Sequence, residues 1–104
     1  MHGRRKSREL ALQALYVFEL TNDHDIVNII DSVASTVGYP DEARSYALTL
    51  VENALLGQPR IDELIQKHAA NWELKRMAAT DRNVLRMAVA ELISAEVPYK
   101  VVID

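Results

Sequence analysis

Four cations stand within the first eight residues, Arg4, Arg5, Lys6 and Arg8, with no acid among them. Arginine presents a planar fork of N–H donors that matches phosphate oxygens, so three arginines to one lysine favour RNA or DNA phosphates over a diffuse point-charge contact. The block stands at or just before the start of a helical pattern. Cations there oppose the partial positive charge of a helix N-terminus, at a few tenths of a kcal/mol each, whereas a polyanion suits both the side chains and the free backbone amides. So short an arm fits a short single strand better than a long duplex, because unstacked bases can rest on nearby aromatics. Tyr16, further along the same helix, is one such aromatic, although a core or protein-contact residue is the better reading of it. The alternative for the whole block is a solvated terminus without a ligand.

Other chemistry finds little support. His2, His24 and His68 are isolated in sequence. Asn22-Asp23-His24-Asp25 lacks the glycine and distal glutamate of a calcium loop, and Asp25 reads as a helix cap. His68 falls on an apolar stripe with Ile65 and Trp72 and is expected to be packed. Gly3, Gly38 and Gly57 are too far apart to form a phosphate-cradling loop. Glu52, Glu63, Glu91 and Glu96 read as solvated helix faces rather than an acid–base pair. No cysteine is present, which excludes disulfides, thiolate metal sites and a cysteine nucleophile. The chain is therefore expected not to be an enzyme and to need neither cofactor nor metal.

The elements that must carry the basic block are helical. Ala, Leu, Glu and Arg outnumber β-branched and aromatic residues, and three glycines and three prolines leave little room for loops. Ser7 is placed to cap a first helix with Glu9 in its first turn; Leu10, Ala14, Val17 and Phe18 form its stripe, widened by Ala11, Leu12 and Leu15. Asp25 caps a second helix bearing Ile26, Ile29, Ile30, Val33 and Val37, which ends at Gly38. Asp41 caps a third, with Ala43, Ala47, Leu50, Val51, Ala54 and Leu55, closed by Gly57. Pro59 opens a fourth containing Ile61, Leu64 and Ile65. Residues 72–80 are weaker, with Trp72 as a plug, and Met77 and Met87 as core. Thr80 or Asp81 caps a fifth helix carrying Leu85, Ala88, Val89 and Leu92, and Val97-Pro98 restarts the chain towards a sixth. Arg82 and Arg86, four residues apart, suit either a second phosphate contact or a salt bridge to a neighbouring helix.

The 104 residues suit one domain, with apolar residues at 49% and charged residues at 26%. Beyond residue 8 the chain carries eight cations against fifteen acids, an acidic body behind a basic arm. Glu9, Gln13 and Glu19 interrupt the apolar run that follows the arm, so it reads as mature structure rather than a secretory signal, and a cytoplasmic location is expected. After Pro98 fewer than two turns remain, with Val101, Val102 and Ile103 in need of cover. The expectation is a fragment, or a chain whose core is completed by another.

Two segments together carry a resemblance. The first is Arg4-Arg5-Lys6-Ser7-Arg8-Glu9-Leu10-Ala11-Leu12-Gln13-Ala14-Leu15-Tyr16. The second runs from Asp81-Arg82-Asn83-Val84-Leu85-Arg86-Met87-Ala88-Val89-Ala90-Glu91-Leu92 to Val97-Pro98-Tyr99-Lys100-Val101-Val102-Ile103-Asp104. This pattern resembles the NusB family of transcription antitermination factors. The resemblance implies an all-α fold of two small helical bundles packed across each other, residues 1–104 forming one such domain without its expected C-terminal helices. It implies a non-catalytic factor that binds boxA-type single-stranded RNA of ribosomal leaders together with the ribosomal protein NusE, within an RNA polymerase antitermination complex. Arg4, Arg5, Lys6 and Arg8 match the family's RNA-binding segment, and Tyr16 and Asp81 its NusE-facing surface. A second copy of the chain is a further candidate partner, one that would bury the basic arm. The other function class left open is an RNA-recognition or docking module of a ribosomal-RNA methyltransferase or other accessory protein.

Overall fold

The computed structural model describes the backbone of residues 2–69, 71 and 73–103, and the side chains of residues 4–69, 71 and 73–94. Among the described residues five α-helices, α1 His2–Thr21, α2 Ile26–Val37, α3 Asp41–Leu56, α4 Gln58–His68 and α5 Ala79–Ile103, are joined by short connections and one 3-10 turn, Leu74–Arg76. No strand occurs among the described residues. The all-α class follows from the helical spacing of the apolar residues. The chain divides within α3 into two compact units, Met1–Glu52 and Asn53–Asp104.

In the first unit α1 packs on α2, and Leu10, Ala14, Leu15, Ile29, Ile30 and Ala34 are buried. The turn between them uses a left-handed Asn22 at φ 58°, a conformation asparagine tolerates better than most residues. Asp25 caps α2 as expected, its carboxylate accepting from the Asn28 amide at 3.1 Å. Gly38 ends α2 at φ 94°, in the left-handed region where a β-carbon is strained, and its N–H reaches the Ala34 carbonyl at 2.8 Å.

Several expectations are corrected. The first helix begins at His2, not after Ser7, so the basic block is itself helical. Ser7 is buried, and its hydroxyl donates to the Ala43 carbonyl at 2.9 Å instead of capping α1. A small side chain that carries its own donor lets the two helices meet there without leaving a buried polar atom unpaired. Asp41, Thr80 and Asp81 lie inside the first turns of α3 and α5 rather than before them, where acids still favour the helix N-terminal charge. Val37 and Leu92, assigned to apolar stripes, are exposed.

In the second unit α4 packs on α5, with Ile61, Ile65, Leu74, Met87 and Ala90 buried. Gly57 receives the Ile61 amide at 2.8 Å and so starts α4. A β-carbon at Gly57 would stand 3.1 Å from the Asn53 carbonyl oxygen and 3.2 Å from Ile61 Cδ1, so a side chain there requires these neighbours to give by a few tenths of an ångström. His68 is not packed: it is the exposed last residue of α4, where Lys67 and His68 suit the helix's negative end. Trp72 lies outside the described residues. The break at Pro98 does not occur, since the backbone of α5 continues through it to Ile103. A proline inside a helix costs roughly 3 kcal/mol through a lost hydrogen bond and a crowded carbonyl, which disfavours continuation without forbidding it. No helix among the described residues is long and apolar enough to cross a membrane.

Candidate nucleic-acid interface

At about 3.6 residues per turn, buried Ser7, Leu10, Ala11, Ala14 and Leu15 occupy one arc of α1. Arg4, Arg5, Lys6 and Arg8 are all exposed on the rest of the circumference of its first two turns. Their placement follows from local pattern: the apolar residues fix which arc faces inward, and every cation falls off that arc.

The cations are not bare. The Arg4 guanidinium carbon lies 3.5 Å from the centroid of the Tyr46 ring, a stacked cation–π contact to α3. Lys6 Nζ is 5.9 Å from the centroid of Tyr39, in the turn between α2 and α3. Glu9 draws both Arg5, Nε to Oε1 at 3.6 Å, and Lys6, Nζ to Oε2 at 3.9 Å. Arg8 also interacts within the structure. Exposed ion pairs of this kind contribute about 0–1 kcal/mol each. One carboxylate among four cations leaves the end of α1 positive.

Behind Glu9 stands a short relay. Gln13 Nε2 donates to the Tyr39 hydroxyl oxygen at 2.8 Å, and that hydroxyl donates to Glu9 Oε2 at 3.4 Å. Burial, then the negative charge of Glu9 and its hydrogen bond, raise the Tyr39 hydroxyl above its ordinary pKa, and Gln13 opposes this. Spacing along the chain does not single out Glu9, Gln13, Tyr39 or Tyr46 as site residues. Nothing in the linear pattern brings residues 39 and 46 to residues 4–13, since only the return of the chain through α2 does so.

The two arginines of α5 are placed otherwise. Arg86 makes a bidentate pair with Asp62 of α4, Nε to Oδ1 at 2.8 Å and NH2 to Oδ2 at 2.9 Å, with side chains only 13% and 28% exposed. Arg82 donates to the carbonyls of Met77 at 3.0 Å and Leu74 at 3.4 Å, closing the 3-10 turn. Arg86 thus makes the expected salt bridge to a neighbouring helix, whereas Arg82 bonds backbone carbonyls. Tyr16 is 44% exposed on α1 in the first unit, and Asp81 is exposed in the first turn of α5 in the second. His24 stands in the exposed turn with its ring edge-on to Phe18, centroids 5.2 Å apart. No group of three or more metal-binding side chains occurs among the described residues.

Comparison with known proteins gives the family of the chain. The NusB family model matches residues 5–104. The chain is 41% identical over 108 residues to the transcription antitermination protein NusB of Saccharopolyspora erythraea, covering all of this chain and 70% of that protein. It is 41% identical over 107 residues to the NusB of Koribacter versatilis, covering 97% of this chain and 70% of that one. The NusB of Myxococcus xanthus is 37% identical over 108 residues, covering all of this chain and 77% of the relative. A chain in the crystal structure of a plectonemic RNA supercoil superposes with a TM-score of 0.80 at 31% identity, over 92% of this chain and 70% of that one. A family match reaching from the second arginine of the basic block to the last residue, on an all-helical fold, places the chain in the NusB family.

Proposed function

We propose that this protein is a non-catalytic, RNA-binding transcription antitermination factor. It takes up a boxA-type single-stranded RNA of a ribosomal leader on the first two turns of α1, together with the ribosomal protein NusE. The carrying observation is the set of four exposed cations, Arg4, Arg5, Lys6 and Arg8, on the first two turns of one helix within a chain that matches the NusB family. Helical placement strengthens the reading, because side chains on a formed helix lose less freedom on binding than those of a loose arm. Arg4 against Tyr46 and Lys6 near Tyr39 put aromatic rings beside cations, the pairing on which unstacked bases stack.

Tyr16 is assigned to NusE by its 44% exposure and by the family resemblance, and Asp81 on the same two grounds in its own unit. A place in the RNA polymerase antitermination complex and a cytoplasmic location follow from this reading. The test is a fluorescence anisotropy titration of a boxA-type RNA and of a shuffled RNA, each with and without NusE. Tighter binding of the boxA-type strand, further tightened by NusE, is the expected result. Equal binding of both strands, with no effect of NusE, overturns the assignment. Tyr16→Asp is expected to remove the NusE increment and leave binding of RNA alone unchanged.

A further inference from the structure

Glu9 is the one acid among the cations of the first two turns of α1, and three donors converge on its carboxylate. They are the Arg5 guanidinium at 3.6 Å, the Lys6 ammonium at 3.9 Å and the Tyr39 hydroxyl at 3.4 Å. Because Gln13 already donates to the Tyr39 oxygen, the hydroxyl's own proton is directed to Glu9. A guanidinium, an ammonium and a phenol hydroxyl around one oxyanion form the kind of donor set a strand phosphate takes.

The carboxylate holds that place loosely. Charge-assisted hydrogen bonds are typically about 2.7–2.9 Å long, and all three contacts here are longer. The Glu9 side chain is 40% exposed, so it can swing into solvent without a buried charge being left behind. Tyr39, by contrast, is half-buried and braced by Gln13, so it remains when Glu9 leaves.

We propose that Glu9 is a built-in competitor for a phosphate subsite, and that an RNA phosphate displaces it and takes over Arg5, Lys6 and the Tyr39 hydroxyl. This rests on the RNA-binding reading of α1 and deepens it by adding Tyr39 as a phosphate ligand and Glu9 as the residue that weakens adventitious anion binding. A lone phosphate gains too little from three donors to evict the carboxylate. A strand that also engages Arg4 and Arg8 has the additional contacts to do so.

The experiment is an anisotropy titration of the full chain with boxA-type single-stranded RNA at several salt concentrations. Glu9→Gln keeps the side-chain size and an acceptor for Tyr39 while removing the charge. It is expected to bind RNA about fivefold more tightly at low salt. The slope of log affinity against log salt should change by less than about 0.7, the contribution of one phosphate on a single strand, because the same phosphate is engaged in both proteins. Arg5→Ala should cost about fivefold more in the Glu9→Gln background than in the natural protein, where its loss also frees Glu9. Tyr39→Phe should weaken Glu9→Gln several-fold and shift the natural protein less than twofold. Glu9→Ala, checked by its urea midpoint, repeats the measurement with a second variant. If Glu9→Gln and Glu9→Ala bind no more tightly than the natural protein while Arg4, Arg5, Lys6 and Arg8→Ala abolishes binding, Glu9 is no competitor and the RNA reading stands. If the fourfold alanine variant binds RNA undiminished, the RNA reading itself is overturned.

Discussion

Arg4 with Arg8, and Arg82 with Arg86, are the same residue type at the same four-residue spacing, each near the start of a helix, yet the two pairs meet different surroundings. On α5, Arg86 is spent on Asp62, both side chains largely covered, and Arg82 on the carbonyls of the preceding turn. On α1 Arg5 and Lys6 face solvent, 85% and 56% exposed, and share Glu9 through contacts of 3.6 and 3.9 Å, while Arg4 stacks on Tyr46 and Arg8 also interacts within the structure. The lesson lies in the partners. An arginine becomes structural when another helix brings a carboxylate or open carbonyls within about 3 Å, and a cation near only a shared surface acid, as Arg5 and Lys6 are, stays exposed.

The contrast is tested from its strongest consequence downward. Arg4, Arg5, Lys6 and Arg8→Ala together should lower RNA affinity by on the order of a hundredfold at low salt, about 2.7 kcal/mol, and leave the urea midpoint within a few tenths of molar. Arg86→Ala should do the reverse. It leaves Asp62 partly covered and unpaired, so a loss of about 2 kcal/mol in unfolding free energy is expected, between the values for exposed and buried pairs, with RNA affinity of the folded protein unchanged. A fall in RNA affinity with no loss of stability in that variant would erase the distinction between the two regions.

Ser7→Ala sharpens the comparison inside α1 itself. It removes the buried hydroxyl that bonds Ala43 and should cost about 1 kcal/mol by urea unfolding, whereas alanine at its neighbours Lys6 and Arg8 should shift the midpoint far less. The smallest effect concerns Tyr39. Burial first, and then Glu9, raise its hydroxyl above the ordinary value of 10, so the folded state holds this proton more tightly than the unfolded state. Its contribution is complete below that ordinary value and is lost as pH rises through the raised one. Unfolding measured from about pH 9 to about pH 11 should show a decline that Tyr39→Phe reduces and Glu9→Gln reduces in part.

Much of this was readable along the chain. The caps at Asp25 and Gly38, the closing glycine at 57 and the stripes of Leu10, Ile29, Ile30, Leu50 and Ile61 come from local rules that need only near neighbours. Ser7 was misplaced because serine before an apolar run satisfies the capping pattern equally well in sequence. Whether its hydroxyl turns to its own helix or to Ala43 is decided by a residue 36 positions away. His68 was misread for a related reason: helical spacing puts it on a stripe, but that stripe runs out at the end of α4. Pro98 marks a break by its own chemistry, and the backbone carries the helix through it nonetheless.

Composition and periodicity alone determined an all-helical chain and where its cations gather, because helix propensity, caps and charge act over a few residues. Tertiary structure alone decided what those cations face. Tyr46 under Arg4, Tyr39 behind Glu9 and Asp62 against Arg86 are brought in by chain return across 24 to 42 positions, over which sequence spacing carries no information about distance.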